Sequence, residues 1–189
     1  LTISSIVYSV EGLKKAYKEI NQLKEKTFLY PKQNILTPHL LKSQKNQQEI
    51  NKKIEVLKNR LIKAVEENKQ EIILEFIPSF FSIYQQSNVS VEEIKADLIG
   101  VYLASVSIVE KYKEEPFTEN EKNETISKFL KTASLTELLI DFEENLIFLA
   151  NSLGEMLATE DIVSQIKRYT LNHYHEELSM TELADHFNY

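Results

Sequence analysis

Cysteine and tryptophan are absent from the 189-residue chain, which also contains only three glycines and four prolines. Without cysteine, the chain can form neither a disulfide framework nor a thiol-ligated metal site. The scarcity of glycine and proline disfavours an architecture of strands and tight turns and favours long helices. No apolar run is long enough to span a bilayer and no secretory signal is visible, so we expect a cytoplasmic location without membrane contact.

Positive charge is also scarce relative to negative charge. The chain has 22 Lys and Arg against 29 Asp and Glu, which gives a formal net charge of −7. This balance argues against a chain that coats nucleic acid by itself. The sequence begins with Leu1 and ends within a helical motif, and we therefore expect a piece of a longer protein.

Apolar residues recur at helical spacing through most of the chain. Between these stripes lie helix-start signals in which Ser or Thr precedes Glu by three positions, as in Ser90 with Glu93 and Thr118 with Glu121. Such a capping box satisfies two backbone donors at the start of a helix. The agreement of these signals predicts a mainly α fold, with a helical linker or bundle over residues 42–158.

The beginning of the chain has a different pattern. Residues 1–8 alternate and are rich in β-branched side chains, a helix is predicted to open after Ser9, and residues 34–37 resemble a second short strand. We interpret residues 1–41 as a β-α-β remnant from the C-terminal end of an α/β domain.

A regular apolar seam is predicted near the start of the helical region. Four apolar residues are spaced by four, three and four positions, like the a and d positions of a coiled-coil heptad repeat: Ile50, Ile54, Leu57 and Leu61. One interpretation is the seam of a coiled-coil dimer, and the other is an amphipathic helix that packs on the helices after it. Two heptads are short for an autonomous coiled coil, which favours the second interpretation. The lysines of this segment form either a solvated face or a phosphate-contacting patch, and the acidic residues that interleave with them favour the solvated face.

The stretch from Gln165 to Tyr189 contains two predicted helices separated by a polar break. Ser179 and Glu182 form a capping box at the start of the second helix, and His173 continues the apolar stripe of the first. The side chains expected to form the core of this pair are Ile166, Tyr169, Leu178, Leu183, Ala184 and Phe187. Two short helices joined by a tight turn are the first half of a helix-turn-helix.

Five residues of this stretch are candidates for contact with the DNA backbone: Lys167, Arg168, Ser179, Met180 and Thr181. The alternative interpretation of Lys167 and Arg168 is ordinary surface charge. The first two supply positive charge, and the backbone N–H groups of the other three are expected to point at a phosphate from the helix start. Residues 160–189 contain no further Lys or Arg, against six acidic residues. The stretch is therefore too acidic to neutralise several phosphates by itself.

Residues 176–187, Glu-Glu-Leu-Ser-Met-Thr-Glu-Leu-Ala-Asp-His-Phe, follow an aromatic-rich helix and resemble the start of the DNA-binding domain of AraC/XylS-type transcription regulators. The spacing Leu-Ser-x-x-x-Leu-Ala-x-x-Phe is characteristic of that family. The resemblance assigns residues 159–189 to the start of such a domain, with the recognition helix placed after them. It implies a DNA-binding transcription regulator that acts as a homodimer and contacts DNA only as the full-length protein.

A second resemblance lies near the beginning. Ile3-Ser-Ser, followed by Ser9-Val-Glu-Gly-Leu-Lys-Lys-Ala-Tyr-Lys-Glu-Ile20, is similar to the end of the degenerate GGDEF-like domain of some AraC-type regulators. Thr2, Ala16 and Ile20 depart from that pattern, and no cyclase motif is present. The order of the two resemblances around a helical linker is similar to the two-component response-regulator, or YesN-like, subgroup. That subgroup implies an upstream sensor kinase.

No constellation of catalytic, metal-binding or cofactor-binding residues is found. His173 and His175 are two positions apart, whereas a metal pair on a helix needs a spacing of three or four. The adjacent carboxylates Glu114 and Glu115, and Glu143 and Glu144, are not coupled to a base or a nucleophile, and no glycine-rich phosphate loop occurs. We expect no enzymatic activity and no cofactor. The alternative to a regulator is a helical protein–protein interaction or dimerisation module, which the acidic charge and the wide apolar arc of residues 72–84 favour.

Overall fold

A computed structural model describes residues 1–41, 47–87, 89–113, 115–159, 162–173, 175 and 179–187. Its elements in chain order are α1 (Val10–Lys26), a 3-10 helix (Pro38–Leu41), α2 (Gln47–Glu66), α3 (Gln70–Gln85), α4 (Val91–Glu110), α5 (Glu119–Lys131), α6 (Leu135–Thr159), α7 (Ile162–Asn172) and α8 (Met180–His186). The chain is mainly helical, as its sequence predicts. In the part that the structure describes, no helix is both long and apolar enough to cross a membrane.

Two compact units make up the chain, Leu1–Leu153 and Gly154–Tyr189. The division falls within α6, close to the predicted start of the last segment at residue 159. The predicted boundary after residue 41 does not separate two units, since residues 1–41 belong to the first one. The structure thus groups the predicted α/β remnant and the predicted helical linker together.

Hydrogen bonds explain why the first 41 residues belong to the same unit as the helices that follow. The backbone N–H of Leu135, at the start of α6, donates to the carbonyl of Phe28 at 2.8 Å. Tyr30 donates through its hydroxyl to the carbonyl of Gln85 at 3.0 Å, and the Gln85 side chain donates to the carbonyl of Leu29 at 2.9 Å. The chain after α1 is therefore tied to α3 and α6.

The two predicted strands are reduced to a single parallel bridge between Thr2 and Leu36. Ile3 N donates to Leu36 O at 2.9 Å, and Leu36 N donates to Leu1 O at 2.8 Å. The prediction of β-strands over residues 1–8 and 34–37 is not shown, although the pairing partners and the helix between them are where the pattern placed them. The described residues supply no third segment against which either side could extend into a sheet.

The apolar seam of α2 faces the interior of its own unit. Ile50, Ile54, Leu57 and Leu61 are all buried, and α2 packs against α3 and α4. This burial agrees with an amphipathic helix that packs within the chain. It does not agree with the proposed dimer seam, because side chains enclosed by α3 and α4 are not available to a second copy.

Aromatic side chains connect α4, α5 and α6. The fully buried ring of Phe129 lies edge-on to Tyr102, with ring centroids 5.7 Å apart, and to Phe142, with centroids 6.2 Å apart. Such edge-to-face pairs are favoured beyond the area that they bury. One residue of the short helix α5 thereby fixes its position against two longer helices.

Both capping boxes predicted in the first unit are confirmed. At the start of α4, Glu93 N donates to Ser90 Oγ at 3.2 Å, and Ser90 N donates to the Glu93 carboxylate at 2.9 Å. At the start of α5, Thr118 and Glu121 exchange the same two bonds at 3.2 and 2.7 Å. Local sequence therefore determines where these two helices begin.

A partly buried polar network joins α2, α3 and α4. The Lys58 ammonium lies 2.8 Å from the Asp97 carboxylate and 2.7 Å from Glu55, and the Tyr84 hydroxyl donates to Asp97 at 3.2 Å. Lys58 therefore departs from the predicted solvated face, with a side chain that is only 20% exposed. Burial, followed by the negative charge of Asp97, raises the pKa of the Tyr84 phenol above its ordinary value.

The buried position of Leu61 predicts a large loss of stability when its side chain is truncated. Leu61→Ala is expected to lower the free energy of unfolding by about 2–5 kcal/mol, because it leaves a cavity between α2 and its neighbours. The matched control is Leu130→Ala on α5, where the side chain is 55% exposed and the expected change is within about 0.5 kcal/mol. Urea unfolding followed by circular dichroism measures both, and equal losses would contradict the burial of the α2 seam.

The raised pKa of Tyr84 predicts a loss of stability in alkaline solution. Above about pH 10 the unfolded chain releases this phenolic proton while the folded chain retains it, so stability falls as pH rises, by up to about 1.4 kcal/mol per pH unit. Tyr84→Phe is expected to remove this part of the slope. Tyr8→Phe, at a tyrosine that is 94% exposed, is the control and should keep the wild-type slope. Unfolding free energies measured through this pH range would refute the assignment if both variants behaved alike.

Candidate nucleic-acid interface

The residues predicted to approach DNA lie on α7 and α8 of the second unit. Lys167 is exposed on α7. Arg168 also belongs to α7, but its side chain lies outside the described part of the structure. Ser179, Met180 and Thr181 are exposed at the start of α8, Met180 by 82%. Of the two predicted cationic contacts, the structure therefore places one at the surface.

The capping box predicted for α8 is confirmed. Glu182 N donates to Ser179 Oγ at 3.1 Å, while the Glu182 carboxylate accepts from Ser179 N at 2.8 Å and from its hydroxyl at 2.9 Å. The bond from the Ser179 backbone, followed by the bond from its hydroxyl, lowers the pKa of Glu182. An ionised carboxylate thus occupies the helix start where a DNA phosphate was expected. This geometry weakens the predicted phosphate contact of Ser179, Met180 and Thr181, because two anions repel each other.

An aromatic cluster joins α7 to α8. The Tyr169 ring packs against two imidazoles, with ring centroids 4.2 Å from His173 and 4.2 Å from His186. Phe187 meets Tyr169 edge-on at 5.7 Å. The Nδ1 atom of His173 lies 2.9 Å from the carbonyl of Tyr169 and donates to it, since a carbonyl oxygen can only accept.

Five of the six side chains predicted to form the core of this helix pair lie in the described part of the structure, and among them Tyr169 contacts Phe187. Each of them is half-buried, and the five are Ile166, Tyr169, Leu183, Ala184 and Phe187. Leu178 lies outside the described residues. A pair of helices this short can bury only one side of each, so its core stays partly open to solvent.

The role of the histidines was only partly visible in the sequence. His173 follows Tyr169 by four positions, and this helical spacing accounts for their stacking. His186 was not predicted to join them, because its approach to Tyr169 depends on the arrangement of α7 and α8 in space. In the part of the chain that is described, no group of three or more metal-ligating side chains is found.

The described residues of the first unit form several surface clefts. One of about 560 Å³ is lined by residues that include Tyr30, Pro78 and Phe81, and one of about 390 Å³ includes Lys26. Burial lowers the pKa of Lys26, whose ammonium donates to the carbonyl of Ser87 at 2.9 Å. This bond ties the end of α1 to the residues that follow α3.

Comparison of the chain with family models, with curated proteins and with solved structures found no match in any of the three.

The capping box at Ser179 predicts a local effect on α8. Ser179→Ala removes an acceptor and loosens the Glu182 carboxylate, so amide hydrogens of residues 180–187 are expected to exchange about five-fold faster. Ser90→Ala makes the same change at α4 and serves as the matched control, with faster exchange confined to α4. Hydrogen exchange read by mass spectrometry measures both. Unchanged exchange in α8 would show that the capping box does not stabilise that helix.

Proposed function

We propose that this chain is part of a DNA-binding transcription regulator of the AraC type. The observation that carries the proposal is the pairing of α7 with α8. A capping box opens α8, and the Tyr169 cluster joins the two helices at the residues that carry the family resemblance. In this proposal the pair is the scaffold half of a helix-turn-helix, and the recognition helix lies beyond residue 189.

The half-buried core of α7 and α8 supports this assignment. Ile166 and Leu183 retain partial exposure, as expected for two helices whose remaining apolar surface a third helix covers. The acidic character of residues 160–189 also supports a scaffold role for this pair, with DNA contact left to the third helix. With a carboxylate at the start of α8, base readout and most phosphate contacts belong to the recognition helix.

Residues 1–41 are proposed to be the end of an α/β domain that receives the regulatory input. The support is the isolated parallel bridge between Thr2 and Leu36, two residues that lie on either side of α1. Hydrogen bonds from this segment to α3 and α6 offer a route by which a change upstream alters the helical unit. The helix α6 carries the chain on into the second unit. We further propose a cytoplasmic homodimer under the control of a sensor kinase.

The second candidate function is a helical protein–protein interaction module without a DNA role. The arc of residues 72–84 no longer supports it strongly, since Ile73, Ile77, Phe80 and Tyr84 are buried within the chain. The observation in its favour is the set of large apolar side chains that remain exposed on α1 and α6, including Leu13, Tyr17 and Phe148.

DNA binding by the full-length polypeptide tests the first proposal. We expect salt-sensitive, sequence-selective binding to paired half-sites, whereas residues 1–189 alone bind weakly or not at all. Lys167→Gln in the full-length protein is expected to weaken binding to all sequences and to lower the slope of log K against log salt by about 1. Lys52→Gln, at an exposed lysine of α2, is the control and should leave the slope unchanged.

Fluorescence anisotropy with labelled duplexes measures both affinity and slope. Nanomolar specific binding by residues 1–189 would show that the reading surface has been placed wrongly. The family assignment also requires a second helix-turn-helix within ~100 residues after Tyr189, the length of one small domain. A reading frame that lacks it would refute the assignment.

A further inference from the structure

The helix α1 presents an exposed stripe that combines apolar and basic side chains. Val10, Leu13 and Tyr17 are exposed by 70, 61 and 70%, and their spacing places them on one side of the helix. Lys24 continues this stripe, and Lys14 lies along its edge. We call these five residues the basic stripe. The buried residues of α1 lie on a different side of the helix, so the basic stripe takes no part in the core of its own chain.

The helix α6 presents a second exposed stripe of the opposite charge. Glu137, Ile140, Glu144, Phe148 and Asn151 recur at steps of three and four, and all five are exposed. Ile140 and Phe148 are exposed by 53 and 57%. We call these residues the acidic stripe. The helix α6 itself contains no Lys or Arg, and the neighbouring cation Lys128 of α5 is paired with Asp141, 2.8 Å away.

The acidic surface extends onto α3. The Gln70 side chain donates a hydrogen bond to the side chain of Asn151, which places the start of α3 beside the end of the acidic stripe. One turn further along α3, Leu74 is 49% exposed, and Glu71 and Glu75 are exposed on either side of it. The helix α3, like α6, contains no Lys or Arg.

The two stripes match in length as well as in charge. They extend over residues 10–24 and 137–151, which is about 21 Å along each helix axis. In an antiparallel arrangement, Lys24 lies opposite Glu137 and Leu13 lies opposite Phe148. Both stripes are exposed in the same chain, so each is available to another molecule.

We propose that the basic stripe of one copy docks on the acidic stripe of a second copy of this chain. A two-fold axis makes this contact twice, because each copy then offers one stripe of each kind to its partner. The apolar side chains supply the burial, and the charges set the register and exclude stripes of like charge. This dimer does not use the α2 seam, which is enclosed within the chain, and it does not depend on the proposed DNA-binding function.

Charge reversal tests the dimer by sedimentation velocity and light scattering at up to ~100 µM chain, where micromolar association is complete. The first variant is Lys14→Glu with Lys24→Glu, and the second is Glu137→Lys with Glu144→Lys. Wild type is expected to be dimeric and each variant monomeric. An equimolar mixture of the two variants regains the dimer, since both contacts then join opposite charges. The variant that carries all four substitutions is also expected to form a dimer, because the charges of both stripes are then reversed together.

Lys52→Glu with Lys111→Glu is the matched control, because it makes the same change in net charge at exposed lysines outside both stripes. It is expected to stay dimeric. A wild-type chain that is monomeric throughout the concentration range overturns the proposal. So does a dimer that persists in both two-residue variants, because its interface would then lie elsewhere. Circular dichroism of each variant checks that it folds, and rescue in the mixture excludes misfolding as the cause of dissociation.

Discussion

Burial of the α2 seam against α3 and α4 is the contact on which the rest of the first unit depends. Leu61 is fully enclosed there, and the same packing brings Lys58 of α2 within 2.8 Å of Asp97 on α4. Tyr84 of α3 completes that network from the third side. The polar network therefore depends on the apolar packing, because a partly buried ammonium and carboxylate are stable only when the surrounding helices hold them together.

The second unit is held together differently. Its helices meet through the rings of Tyr169, His173, His186 and Phe187, and the predicted aliphatic side chains around them are only half-buried. Aromatic contacts of this kind orient two short helices without enclosing a core. A helix pair in this state is suited to act as a scaffold for a further element, and this is the role that the proposed function gives it.

Charge links the two proposals for this chain. In the proposed function, the acidic residues of α8 assign most of the DNA contact to the recognition helix. In the proposed dimer, the acidic stripe on α6 matches the basic stripe on α1. A regulator of the AraC type acts on paired half-sites, and a dimer made through α1 and α6 would supply the pairing that the buried α2 seam does not. Each proposal nevertheless stands on its own observations, since oligomeric state and DNA binding are measured separately.

Local sequence alone determined the helical class, the capping boxes at Ser90, Thr118 and Ser179, and the inward face of α2, because these depend on residues three or four positions apart. Tertiary structure decided the rest. In place of two predicted strands there is one bridge at Thr2, and residues 1–41 belong to the same unit as the helices that follow. Lys58, predicted on a solvated face, forms a partly buried ion pair. Tertiary structure also brought His186 onto Tyr169. These outcomes depend on contacts between residues distant in sequence, and a periodic pattern does not specify which partner covers a given face.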